Sequence, residues 1–238
     1  SFEGATSLET IKWGNIETIG SFSFKGCTSI KTINLVESIK TIQNNAFEDC
    51  TSLDFISFNK IEIIGKNAFY GCESLKTLTI PATVKSIDDE SFKQTSLKNV
   101  IFYGLEEPSL CSNSTFDDDL EFVAVPMKYK TKEFCNKTTV TMGECGVNCS
   151  FIFYPGENSL VITDGIMDDW NNWLDVPWNG TMGNITKVTI SGTKNIGKNA
   201  FYGATSLVTV DLHPDIESIA DYSFYNCSEI ETITLPEH

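Results

Sequence analysis

The sequence predicts a right-handed solenoid of stacked coils with a parallel sheet along one face and few short helical turns. Two observations carry this. A motif of the form apolar-x-x-apolar-x-apolar returns nine times, at spacings of 22 or 23 residues within each run. Apolar residues also lie eight and five positions ahead of each of Phe24, Phe47, Phe69, Phe92 and Phe224. A unit this short cannot bury its apolar side alone, whereas stacking it on near-identical neighbours builds one continuous core.

The strand motif opens as Leu8-Glu9-Thr10-Ile11-Lys12-Trp13 and returns from Ile30, Leu53, Leu75, Leu97 and Leu120. After a gap it resumes from Ile185, Leu207 and Ile230. Its last three residues alternate with period two, which is the pattern of a strand with one face buried. The pairs Ile16 and Ile19, Ile39 and Ile42, Ile61 and Ile64, Val84 and Ile87, and Ile216 and Ile219 then carry the chain around each coil to its phenylalanine. Phe201 keeps only the nearer one, Ile196.

Residues 64–81 read Ile-Gly-x-x-Ala-Phe-x-x-Cys-x-Ser-Leu-x-x-Leu-x-Ile-Pro, which resembles the BspA-like (Treponema pallidum type) leucine-rich repeat. The resemblance covers residues 1–126 and 185–238. It implies a leucine-rich-repeat solenoid on a bacterial or protozoan surface, acting in adhesion to host proteins or cells or to other microbes. Residues 158–170 with Pro177-Trp178 are similar to the segment that precedes an array in that family, and residues 125–129 resemble an array ending.

Two arrays separated by an insert are therefore expected: a first array with its C-terminal cap over 1–135, a joint and N-terminal cap over 136–184, and a second array over 185–238. Both ends fall inside a repeat, so a longer array is expected, and the absence of a leader-like start in residues 1–20 says little. In the insert, Phe151 to Tyr154 and Leu160 to Thr163 flank Pro155-Gly156-Glu157-Asn158, the pattern of a β-hairpin. Trp170, Trp173 and Trp178 follow. They read as a hydrophobic lid on the first coil of the second array in preference to a carbohydrate-stacking platform, because terminal coils need covering.

The 238 residues carry 17 lysines, no arginine and 32 carboxylates, for a net charge of -15. Such a surface repels phosphates and anionic lipid headgroups, so nucleic acid and membrane surfaces are not expected partners. No stretch approaches the roughly 18 apolar residues of a membrane span.

Four of the eight cysteines, Cys27, Cys50, Cys72 and Cys227, lie three residues after a repeat phenylalanine, where Ala5 and Ala204 stand in other copies. Exchange with alanine marks a small buried slot. Cys111, Cys135, Cys145 and Cys149 fall outside the repeat, and an even number there predicts two disulfides in an oxidising compartment. Three pairings are open; Cys111 with Cys135 and Cys145 with Cys149 is preferred over the others and over a four-thiolate zinc site, whose short paired spacings are lacking. Asn113, Asn136, Asn148, Asn179, Asn184 and Asn226 open Asn-x-Ser/Thr sequons, candidate glycosylation acceptors consistent with a secreted or cell-surface protein.

Catalytic material is sparse. His213 sits at a turn beside Pro214 and His238 is terminal, so neither has the oriented partners of a nucleophilic site. Asp117-Asp118-Asp119 and Asp168-Asp169 cannot converge on one ion, and we assign no metal, no cofactor and no enzyme activity.

Alternation makes the outward side chains of the sheet Thr10, Lys12, Thr32, Asn34, Phe55, Ser57, Thr77, Thr79, Asn99, Ile101, Tyr103, Phe122 and Ala124 in the first array. In the second they are Lys187, Thr189, Thr209, Asp211, Thr232 and Thr234. Most suit a solvated sheet. Phe55, Ile101, Tyr103 and Phe122 are large apolar exceptions and are the candidate partner-binding residues. The expected partner is a protein, either a host matrix or cell-surface protein or another microbe; the alternative is a structural spacer or self-associating coat component.

Overall fold

The computed structural model describes residues 1–131, 133–233 and 235. Among them the chain is a parallel-sheet β-solenoid whose only helical pieces are two 3-10 turns, Trp173–Asp175 and Asn179–Asn184. It divides into two compact units, Ser1–Thr139 and Val140–His238.

In the first unit the strand motifs form the predicted face. Strand Thr32–Asn34 pairs in parallel with Phe55–Ser57, and Thr77–Ile80 pairs with Asn99–Phe102, which pairs with Phe122–Pro126. The first copy, Leu8 to Trp13, is not a strand. Leu8, Ile11 and Trp13 nevertheless pack against the core.

The isoleucine five residues ahead of each phenylalanine does more than carry the chain around. It ends a two-residue strand, and Thr18–Ile19, Thr41–Ile42, Ile63–Ile64 and Ser86–Ile87 form a second parallel ladder. The phenylalanine corner is a third place where coils bond. Phe24, Phe47 and Phe69 N–H groups each donate to the carbonyl of Ala46, Ala68 and Ser91 one coil on, at 2.8 Å. Backbone donors and acceptors are thus satisfied both between coils and by turns within them, such as Cys50 N–H to the Phe47 carbonyl and Leu53 N–H to the Cys50 carbonyl, as burial requires.

That corner needs left-handed backbone two residues before the ring. Asn45, Asn67 and Asn199 supply it at φ 60°, 55° and 59°, and asparagine is among the side chains that tolerate this region. Two residues after the ring, Gly26 and Gly71 hold φ 70° and 72°.

The core is an aromatic column. Phe2, Phe24, Phe47, Phe69, Phe92 and Phe116 stack with centroids 5.2–5.4 Å apart and ring planes within 8° of parallel. Phe134, fully buried, closes it by tilting against Phe116 and Phe102. The repeat cysteines fill the slot beside this column: Cys27, Cys50 and Cys72 each point an S–H at the carbonyl of Phe2, Phe24 and Phe47, 3.2–3.3 Å away.

The second unit starts from an antiparallel meander. Lys137–Val147 pairs with Cys149–Tyr154, which pairs with Ser159–Thr163 across the turn at residues 155–158. The last of these is also the first rung of the parallel array, with Leu160 opposite Val188 and Ile162 opposite Ile190. Lys187–Ser191, Thr209–Leu212 and Thr232–Ile233 follow in parallel. Thr193 takes the place of the isoleucine absent ahead of Phe201; it is fully buried and its hydroxyl donates to the Asp164 carbonyl. Trp178 is fully buried and stacks on Phe201, which stacks on Phe224.

Candidate interaction surface

The outward face of the first unit is built by alternation. In Thr77–Ile80, Leu78 and Ile80 enter the core while Thr77 and Thr79 are exposed, and Thr32 and Asn34 flank buried Ile33 in the same way. Parallel register then lines equivalent positions up from coil to coil, Thr32 beside Phe55 and Thr77 beside Asn99 beside Phe122.

The four apolar candidates do not form one patch. Phe55 is 46% exposed and lies in the same row as Phe122, with the coil of Thr77 and the coil of Asn99 between them. Ile101 and Phe122 are half-buried, on adjacent rungs and diagonal to each other, since Asn99 faces Phe122 and Ile101 faces Ala124. Ala124, expected outward and solvated, is 1% exposed. Its single methyl lies in register beside branched Ile101, too short to rise above its neighbours. Thr234 and His238 lie outside the described residues.

Tyr103 is 54% exposed and has company the alternation rule did not identify. Leu105 and Met127 are exposed as well, and the Lys130 N–H donates to the Leu105 carbonyl, so the segment after the last strand runs beside the one carrying Tyr103 and Leu105. Strand alternation assigns faces only within strands, and both residues lie just beyond one. The signal available in sequence was the array-ending segment at residues 125–129, which brings a second chain segment to that edge.

Charge is arranged along the stack of coils in each unit. Lys25, Lys60, Lys85 and Lys194 each pair with a carboxylate on an adjacent coil, Glu48, Glu37, Glu62 and Glu217, at 2.6–2.9 Å. Hydrogen bonding and attraction from the partner lysine hold Glu37 and Glu62 below the usual carboxylate range. With lysines matched in this way, the excess carboxylates determine the field that a partner meets.

The acidic run diverges as its spacing requires. Asp117 accepts from the Gln94 and Thr95 N–H groups, Asp118 lies between Lys93 and Lys137, and Asp119 pairs with Lys98. His213 sits in its turn, where Nδ1 accepts from the Asp215 N–H at 3.2 Å.

The structure joins Cys111 to Cys135, with Cα atoms 4.8 Å apart, and Cys145 to Cys149, 5.0 Å apart. Glu107 lies close to the first bridge and accepts from the Cys135 N–H. With both sulfurs bonded to each other, that cluster offers no thiolate. The other four cysteines are free thiols. Burial pushes Cys50 up to about 12 and Cys227 up to about 11, and raises Cys27 and Cys72, so these are protonated packing groups at neutral pH. Of the sequon asparagines, Asn113, Asn136, Asn148, Asn184 and Asn226 are exposed and Asn179 is half-buried.

The class this geometry defines is a repeat solenoid with a polar, rigid, periodic face. The family model of the BspA type leucine rich repeat region matches six copies over residues 1–118 and 180–238, and the chain belongs to that family. No curated protein matches it. Among solved structures it is similar to a leucine-rich repeat protein from Bacteroides ovatus ATCC 8483, at 19% identity over 99% of this chain and 63% of that one, with a TM-score of 0.33. It is also similar to a leucine rich cell surface protein from Faecalibacterium prausnitzii A2-165, at 15% identity over 91% of this chain and 76% of that one, with a TM-score of 0.31. The chain spans under two thirds of the Bacteroides ovatus protein. No helix among the described residues is long and apolar enough to cross a membrane.

Proposed function

We propose that the chain is a non-enzymatic, extracellular or cell-surface protein-binding module that acts in adhesion to host matrix or cell-surface proteins or to other microbes. The observation that carries this reading is the exposure of Phe55 and Tyr103, 46% and 54%, on a face made mostly of threonine, asparagine, serine and lysine. Large aromatics on a rigid surface supply contact area at low entropic cost, and anchors of this type dominate binding energy. Two disulfides and five exposed sequons support an oxidising, secretory compartment. The carboxylate excess favours a basic or neutral partner patch. Repeated display raises avidity without high affinity at each site.

The test is adhesion of the folded chain to immobilised matrix proteins and to cells, with Phe55→Ser and Tyr103→Ser introduced together. A loss of about tenfold or more is expected from two truncated anchors. Unchanged adhesion by a folded double variant would remove these residues as the anchor. The second reading is a spacer or self-associating coat component, favoured by the preponderance of small polar side chains on the outer face. Absence of adhesion in the parent chain would select it.

A further inference from the structure

Within the second unit, a cavity of about 330 Å³ is lined by Glu144, Cys145, Gly146, Val147, Asp168, Trp170 and Pro177. It is a built feature. The pairing of Lys137–Val147 with Cys149–Tyr154 shifts register between Glu144 and Gly146, and a bulge of this kind re-aims side chains. Gly146 holds φ 144°, and a Cβ there would meet the Ile166 carbonyl at 2.1 Å, so only glycine lets Ile166–Met167 close over this edge. The Cys145–Cys149 bridge and the Asp168 N–H bond to the Cys145 carbonyl fix the wall. Pro177 stiffens the opposite side.

The polar groups at this cavity are of two kinds. Glu144 and Asp168 are exposed carboxylates that make no ion pair among the described residues, which leaves acceptors. Trp170 is more than nine-tenths buried, and the fates of the two neighbouring indoles differ. Trp178 donates its N–H to the Ala200 carbonyl at 2.9 Å, whereas the Trp170 N–H has no acceptor among the described residues. It is not among the sealed-off unpaired atoms either, so it keeps contact with solvent, and Trp170 is one of the residues that line this cavity.

We infer that this cavity binds a neutral saccharide unit. The ligand must accept from an indole N–H and donate to two carboxylates, and a hydroxyl does both. An ammonium group donates but leaves the indole N–H unmatched; an anionic sugar meets two carboxylates. The volume is at the lower end of small-ligand cavities, about 300–1,000 Å³, and suits one ring with its hydroxyls. This site is separate from the sheet face of residues 1–139 and does not rest on the reading of that face as a protein anchor.

The experiment follows the Trp170 indole N–H resonance of the whole chain, assigned with Trp170→Phe, during titration with neutral methyl glycosides and, in parallel, with methylamine. Saturable movement with at least one glycoside is expected, and a Glu144→Gln, Asp168→Asn double variant with unchanged thermal unfolding should weaken it about tenfold, as loss of charge-assisted hydrogen bonds predicts. No movement with any glycoside, or movement with methylamine alone, overturns the proposal, as does equal binding by the folded double variant. Glycoside binding without adhesion to protein would leave this inference standing and remove the protein-anchor reading, and the converse holds equally.

Discussion

The indole of Trp178 lies 5.6 Å from the ring of Phe201 at an angle of 23°, and it stands 23 residues ahead of that ring, as Phe24 stands ahead of Phe47. The insert therefore supplies the first member of the second aromatic column, with Trp170 packed edge-on behind it. Truncation here and in the first column should be costly and local. Trp178→Ala is expected to lose about 3–5 kcal/mol and Phe69→Ala a similar amount, each from the unit that holds it, because the two units have separate cores. Denaturant unfolding followed by hydrogen exchange resolves which unit melts.

The bridge between Cys111 and Cys135 closes a separation of 24 residues, that between Cys145 and Cys149 only 4. On the loop-entropy account the first contributes about 3.5 kcal/mol and the second about 2. Cys111→Ser with Cys135→Ser should thus lower the unfolding midpoint more than Cys145→Ser with Cys149→Ser. An equal or reversed order would show that strain or packing outweighs loop length.

Alkaline conditions should weaken the coils through their thiols. Burial raises Cys50 from 9.0 to about 12, so below pH 9 the group is protonated whether folded or unfolded, and its contribution is fully present. As pH rises past 9 the unfolded chain loses the proton and the folded chain keeps it, so stability falls until about pH 12. Cys50→Ala, which mimics Ala5 and Ala204, should flatten the alkaline limb of a midpoint-against-pH curve. In native protein at pH 8, Cys50 and Cys72 should resist a thiol reagent that labels them promptly after unfolding.

Glu90 occupies the left-handed corner at φ 56°, where three other coils have asparagine, at Asn45, Asn67 and Asn199, and two have Phe22 and Tyr222. Its only ion pair among the described residues is a loose 3.7 Å contact with Lys66, both side chains being half-exposed. Glu90→Asn should stabilise the chain by about 0.5–1 kcal/mol by relieving backbone strain. A destabilised variant would show that the contact with Lys66 outweighs the corner.

Periodicity made the coil legible before any coordinates: the spacing of Ile33, Ile42 and Phe47 is enough to place each inside the stack. The second ladder was harder to read because two-residue strands such as Ile63–Ile64 are too short to show an alternation. Thr193 escaped because a hydroxyl can take an isoleucine's place only when a carbonyl on another segment accepts from it, a fact of tertiary structure. Trp178 was readable as a lid, while its place in the column was hidden by the change from phenylalanine to tryptophan. The exposure of Phe55 and Tyr103 was legible. Leu105 and Met127 join Tyr103 through a chain return, and the cavity beside Trp170 depends on a register shift; neither leaves a local pattern.

The phenylalanine column also works as a ruler. Each coil presents to the next the same ring, the same three bonding strips and the same left-handed corners, so a duplicated segment of 23 residues arrives with every contact it needs. One such event would lengthen the column by one ring spacing, 5.2–5.4 Å, and leave the rest of the packing untouched. Reach can thus be adjusted in single steps of the gene without redesign of the core, whereas the capping residues Phe134 and Trp178 fix where each column stops.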